Sequence, residues 1–368
     1  MHKTLSIIIP TYNMENYLDK CLTSLIILDN SIMNLVEILI INDGSKDNSL
    51  FIAQKYAKLY KNIIVIDKDN GNYGSCINYG LKIAKGKYIK ILDADDYFDN
   101  YNFIEFINYL NTCDDDLILS DCDIVNNNDI IIGAFNVDKK ISRETSHPFK
   151  MILTNKVAEM IQMHNVTYKT DNLRLLQYKQ TEGISYTDIE WVFTPMTTIN
   201  SFSIFNKTIY KYLIGRTGQT ISNNTLKKNL KDITILTLSL LDKYHNIKYS
   251  KNHQSYLKRR LQANLENIYC NQLINNTFNR IDFLSFDLKI KSKYEQYYNE
   301  MSQWTISTST YKYILHLRLG NKYFLKNLLK GNINQTFNDF IFACDIGTFK
   351  PLLVSKIVNK IHSMKLYK

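Results

Sequence analysis

The sequence predicts an α/β fold: a Rossmann-like, mostly parallel sheet flanked by helices, followed by a helical C-terminal region. Three observations predict it. Short β-branched runs recur through the first hundred residues, each closed by a polar turn. Segments with apolar residues at helical spacing separate them, and such alternation implies parallel strands covered on both faces. From Leu226 onward the pattern is helical, with amphipathic stretches such as "LKRRLQANLENIYCNQLI".

The elements follow in order. Leu5–Ile9 is a β-branched run stopped by Pro10, which has no N–H for a ladder. "NMENYLDKCLTSLIIL" then places Tyr17, Leu18, Cys21, Leu22 and Leu25 at helical spacing, with Asn13 as the expected cap. Val36–Ile41 is a second strand broken by "NDGSKD", and a helix carrying Leu50, Ala53, Tyr56, Ala57 and Tyr60 follows. Ile63–Ile66 is the third strand. A Gly-rich turn, "DNGNYGS", leads into a helix through Leu81 and Ala84, and Tyr88–Leu92 is the fourth strand. A helix at Phe103–Leu110 and strands near Leu117–Ser120 and Ile130–Gly133 continue the pattern; residues 150–225 are mixed. The expected division is one domain over residues 1–222 and a mainly helical one over 223–368, for acceptor, oligomer or membrane contact.

The 368-residue chain is 45% hydrophobic, enough for a sizeable core, and nothing in it reads as disordered. Its formal charge of +10 admits nucleic acid, an anionic membrane surface or anionic substrates as partners. The charge is uneven: residues 1–123 are rich in Asp, Lys dominates after Lys207, and no acid follows Asp345. Six cysteines (21, 76, 113, 122, 270, 344) form no CxxC pair, which fits free thiols in a reducing cytoplasm. The N-terminal apolar run is too short for a signal peptide, and no window reaches the ~20 apolar residues of a membrane span.

In parallel sheets ligands bind beyond the carboxyl ends of the strands. The polar segments "PTYN", "NDGS", "DNGNYGS" and "DADD" would therefore line one edge. The last is the most unusual, because an apolar strand ends in Asp93, Asp95 and Asp96. Like charges repel there and desolvation is costly, so the run is either a solvated turn or the seat of a cation. Carboxylate oxygens suit Mg²⁺ or Mn²⁺. The Gly-rich loop lacks Gly-Lys-Ser/Thr, which argues against a P-loop ATPase.

"LSIIIPTYNMENYLDKCLTSL", "VEILIINDGSKDNS", "NGNYGSCINYGLKIAKGKYIKILDADDYF" and "SYTDIEW" resemble, in order, the motifs of the bacterial family-2 glycosyltransferases, over about residues 3–222. The resemblance implies a GT-A fold, mostly inverting chemistry, a nucleotide-diphosphate sugar (UDP-linked in most members) and Mn²⁺ or Mg²⁺. Carried over by position, Pro10, Thr11 and Tyr12 border the nucleotide, with Tyr12 stacked on the base. Asp43 hydrogen-bonds that base, and Lys68, Asn70 and Gly71 open the loop that closes over it. Asp93 faces the ribose and the metal, Ala94 is counted with the donor-binding residues, and Asp95 is the direct metal ligand. Where many members read Ala-Arg-Asn, this chain has Cys76-Ile77-Asn78, so Asn78 remains but a diphosphate-facing Arg is missing.

Asp188 aligns with the acidic pair that supplies the family's base, with Glu182 and Glu190 as runners-up; the pair itself reads Thr187-Asp188. "IYKYLIGRTGQTIS" resembles the segment that returns over the donor, making Arg216 and Gln219 candidates for the diphosphate. Simpler roles compete: Tyr12 as a core aromatic, Asp43 and Asp188 as helix caps, Arg216 on an exposed loop. Trp191 fits either the core or the floor of a sugar site, and His147 and His164 read as structural or surface residues.

The acceptor implied is a glycan, glycoprotein or lipid-linked hydroxyl in surface polysaccharide or glycan synthesis. The basic end "FKPLLVSKIVNKIHSMKLYK" suits docking on the core, homodimer formation, or peripheral contact with the inner face of an anionic membrane. A sugar nucleotidyltransferase is disfavoured because "PTYNMENY" has no Gly. Nucleic acid is disfavoured because the recognisable focus is acidic. A non-catalytic sugar-binding relative is the remaining alternative.

Overall fold

The structure, a computed structural model, describes residues 3–154, 157–216, 223–274 and 280–300. Ten strands form one sheet: β1 Lys3–Thr11, β2 Val36–Asn42, β3 Ile63–Asp67, β4 Gly86–Ile91, β5 Tyr97–Phe98, β6 Leu117–Val125, β7 Ile131–Phe135, β8 His147–Pro148, β9 Val166–Lys169 and β10 Ser201–Leu213. The order is β3-β2-β1-β4-β9-β6-β10-β5, with β7 on β6 and β8 on β10. β3, β2, β1 and β4 pair in parallel, as the alternation predicts. All seven residues of β2 are buried, which is why it reads as a continuous apolar run.

Beyond β4 the sheet departs from the parallel pattern. β9 inserts antiparallel between β4 and β6, and β6 then pairs in parallel with β10. Neither β9 nor the thirteen-residue β10 is legible in the mixed 150–225 stretch, because their partners lie about 50 to 115 residues away.

The helices are α1 Leu18–Thr23, α2 Asn30–Met33, α3 Ser49–Leu59, α4 Asn72–Ile83, α5 Asn100–Thr112, α6 Val157–Met160, α7 Thr170–Leu175 and α8 Asp188–Trp191. α1 starts five residues later than its expected cap. Asn13 sits instead at φ 54°, and its side chain accepts from Lys46 N at 2.8 Å. That ties the end of β1 to the turn after β2. Asp47 and Asp99 accept from backbone N–H groups at the starts of α3 and α5, satisfying donors with no intrahelical partner.

Four further helices, α9 Asn223–Asn246, α10 Lys251–Ile274, α11 Arg280–Lys293 and α12 Glu295–Glu300, match the helical reading of the C-terminal region. Among the described residues, one compact unit takes in 3–216 with Lys251–His253, and a second takes in 223–250 with 254–300. Within the second, Leu236, Leu240, Leu261, Leu265 and Ile290 are fully buried. No helix of the described residues is long and apolar enough to cross a membrane. The basic segment 349–368 lies outside the described residues.

Candidate active site

Parallel pairing in register puts the ends of β1, β2 and β4 side by side: Thr11 pairs with Asn42, and Ile8 with Ile91. The polar segments that follow therefore collect at one edge. Thr11 is buried and its carbonyl accepts from Asp43 N at 2.8 Å, while the next side chain, Tyr12, is 46% exposed. An aromatic ring presented at the sheet edge suits base stacking and does not suit the core alternative.

Asp43 is 3% exposed and already built into a loop clasp. Its Oδ1 accepts from Lys68 Nζ at 2.6 Å and Gly71 N at 2.9 Å, and its carbonyl accepts from Asn70 Nδ2 at 3.0 Å. The helix after "NDGS" is held by Asp47 and not by Asp43. Gly44 makes the clasp fit: its φ of +71° suits glycine, and a Cβ there would press on Asn70 N at 3.3 Å.

The carboxylates of "DADD" are separated by their partners. Asp93 Oδ1 accepts from Tyr73 Oη at 2.8 Å, and its backbone N–H donates to Tyr210 Oη at 3.2 Å. Burial raises the Asp93 pKa, and the negative charges of Asp95 and Asp188 push it further in the same direction. Asp95 is ion-paired to the Arg216 guanidinium, which also faces the Tyr17 ring at 5.6 Å. Asp96 is 1% exposed, accepting from Tyr210 Oη at 2.7 Å and Leu213 N at 2.8 Å. Part of a run expected to be a solvated turn or the seat of a cation, Asp96 is a buried anchor for β10. Ala94 is buried between these acids.

Asp188 begins α8, four residues long, after Thr187. Its charge is felt at Asp93, Tyr73 and Tyr212, so the fold brings it electrostatically close to the β4 acids across almost a hundred residues of sequence. The two runners-up are committed elsewhere. Glu190 is fully buried and accepts from Thr181 N at 2.7 Å, and Glu182 accepts from Asn78 Nδ2 at 2.7 Å. Asn78 is likewise occupied, donating to Gln180 O and accepting from Gln180 N, so it ties α4 to the 180 loop. Trp191 is fully buried in the core, edge-on to Tyr168 at 5.0 Å. Gln219 lies outside the described residues.

Two site residues escaped the sequence reading. Tyr73 sits within the Gly-rich segment, where one Tyr among 26 carried no signal. His164, expected at the surface or in a structural role, is 8% exposed and groups with Asp93 and Asp96, the donor atoms of all three lying within 4.8 Å of one another. His147 has the ordinary role expected, bonded through Nε2 to Ser142 O at 2.8 Å. An open cleft of about 610 Å³ lies beside α4, lined by Lys68, Lys82, Arg174 and Lys179 among others, but none of the four acids borders it.

The sequence profile described as Glycosyl transferase family 2 matches residues 6–174. Residues 6–174 belong to glycosyltransferase family 2. The family-2 segment is 39% identical over 132 residues to an uncharacterized glycosyltransferase of Mycoplasma genitalium, covering 35% of this chain and 39% of that protein. It is 45% identical over 95 residues to a homolog in Mycoplasma pneumoniae, covering 25% and 31%. The poly(ribitol-phosphate) beta-glucosyltransferase of Bacillus spizizenii is 37% identical over 119 residues, 31% of this chain and 18% of that protein. The match thus spans well under half of each of these relatives. The crystal structure of S. aureus TarS 1–349 with UDP-GlcNAc superposes with a TM-score of 0.55 at 18% identity, covering 97% of this chain and 92% of that one. The chain has the GT-A fold that this likeness displays.

Proposed function

We propose that the chain is an inverting glycosyltransferase that moves a sugar from a uridine diphosphate donor to an acceptor hydroxyl in surface polysaccharide or glycan synthesis. One observation carries the reading: exposed Tyr12, the Asp43 clasp, the β4 acids and Asp188 converge at one sheet edge. The UDP-GlcNAc bound by TarS and the teichoic-acid polymer named for the Bacillus relative support donor and acceptor class.

In this reading Tyr12 stacks on the base and Asp43 bonds its edge. Asp188 takes the proton from the acceptor hydroxyl as that oxygen attacks the anomeric carbon, and the sugar–diphosphate bond breaks on the opposite face. Arg216, the cation beside Asp95, turns to the departing diphosphate and stands in for the Arg missing near Asn78. A divalent cation fits the donor set: Asp93 and Asp96, whose pKa values burial and then mutual repulsion raise, next to a buried imidazole nitrogen without a partner. Asp93 and Asp95 would hold Mn²⁺ or Mg²⁺, which stabilises charge on the leaving diphosphate. Residues 223–368 would serve acceptor, oligomer or membrane contact, and the enzyme would work in the cytoplasm.

The test is a screen of nucleotide sugars with Mn²⁺ or Mg²⁺, reading hydrolysis and transfer. Asp188→Asn is expected to lose about 10²- to 10⁴-fold in turnover while still binding donor. Unchanged transfer removes the proposed base, and activity that survives Asp95→Ala overturns the metal role. Donor binding without turnover by the wild type favours the non-catalytic relative.

A further inference from the structure

His164 is built to be more than core filler. Its ring stacks on Tyr212 at 4.2 Å, meets Tyr210 edge-on at 4.9 Å and lies parallel to Phe135 at 6.1 Å. Its carbonyl accepts from the buried Lys90 Nζ at 2.8 Å. The next residue, Asn165, donates to Ser120 O and Phe135 O, so the backbone is fixed from both sides. Yet Nδ1 is buried and has no hydrogen-bond partner. A buried polar atom left unmade is costly, on the order of 1–3 kcal/mol, and needs a reason.

Two carboxylates lie across a short gap from the ring. The His164 donor nitrogen, one Asp93 oxygen and one Asp96 oxygen lie within 4.8 Å of one another. No direct bond joins the imidazole to either acid, but one ion at about 2.1 Å from each donor bridges nearly this span. Asp96 keeps a lone pair on each oxygen after accepting from Tyr210 and Leu213.

We propose that His164, Asp93 and Asp96 form a mixed nitrogen–oxygen site for a divalent transition metal. The site refines the cation role given above to Asp93, and rests on that reading only for its link to catalysis. Imidazole nitrogen shifts preference towards Mn²⁺ and Co²⁺ over Mg²⁺, which favours an all-oxygen shell.

The experiment uses the full chain with Mn²⁺ alone, without any nucleotide. Pulsed electron paramagnetic resonance reads nitrogen coupling to bound Mn²⁺ in protein with natural and with ¹⁵N-labelled histidine. The expected result is a histidine nitrogen coupling in the wild type and its loss in His164→Phe, which keeps an aromatic ring against Tyr212. Mn²⁺ binding should weaken by about 10-fold or more in that variant. Bound Mn²⁺ with no histidine coupling overturns the site, as does coupling that persists in His164→Phe or failure to bind Mn²⁺. If that variant does not fold, His164→Gln is read in its place against the same two outcomes. Histidine coupling without transfer from any nucleotide sugar leaves the site standing and sinks the enzymatic reading; transfer without the coupling does the reverse.

Discussion

At the scale of single residues the site depends on who holds each carboxylate. Tyr73 donates to Asp93 at 2.8 Å from a largely buried position, and this bond is what counters the upward push of burial and of Asp95 on the Asp93 pKa. Tyr73→Phe keeps the ring and removes the donor. Its expected effect is a fall in turnover of about 10-fold, with the acid limb of the pH–rate profile moving to higher pH because the ionised carboxylate has lost its stabiliser. Steady-state kinetics over a pH series read both; an unmoved profile sets aside the positioning role. Lys90 shows the opposite charge logic. Burial pushes its pKa down to about 7, so between pH 7 and the ordinary lysine range the unfolded chain holds a proton that the folded chain does not. Stability from this residue therefore rises with pH through that window. In Lys90→Met this rise is expected to disappear, so the difference between wild-type and variant melting temperatures widens in favour of wild type from pH 7 to 10. Parallel melting curves at both pH values contradict it.

At the scale of elements, α4 and the 180 loop join the Asp43 clasp to the segment that carries Asp188. Asn78 and Gln180 exchange side-chain and backbone bonds there, and Gly183 N donates to Gly71 O at 3.2 Å. Gly74 makes the approach close enough: a Cβ at that position would lie 1.9 Å from Thr181 O. Helix propensity alone predicts that Gly74→Ala stabilises α4 by about 1 kcal/mol. Overlap with a backbone carbonyl outweighs it, and a net loss of about 1–3 kcal/mol is expected in urea unfolding, together with reduced transfer. A stabilised variant shows that the loop can yield.

At the scale of the whole molecule, the charge is divided: acids gather at the sheet edge and lysines prevail towards the C-terminus. A peripheral enzyme acting on a membrane-linked acceptor would use the basic segment 349–368 to reach anionic lipid. Removing residues 349–368 is expected to abolish co-flotation with anionic liposomes while the N-terminal unit still binds uridine nucleotide. Equal flotation of both forms removes the membrane role.

Local pattern along the chain suffices for the parallel half of the sheet and the order of polar strand ends. β1 to β4 are local apolar runs whose period and punctuation are set by neighbours in the chain. It also pointed to Tyr12, Asp43, Asp93, Asp95, Asp188 and Arg216, because residue type and motif order survive without coordinates. Only the tertiary structure decided that β9 enters antiparallel, that Asn78 and Glu190 serve the scaffold, and that Arg216 pairs with Asp95. Only it drew Tyr73 and His164 into the acidic cluster. The reason is physical: those assignments depend on contacts between residues tens to over a hundred positions apart. Their energies come from burial and pairing that no local pattern encodes.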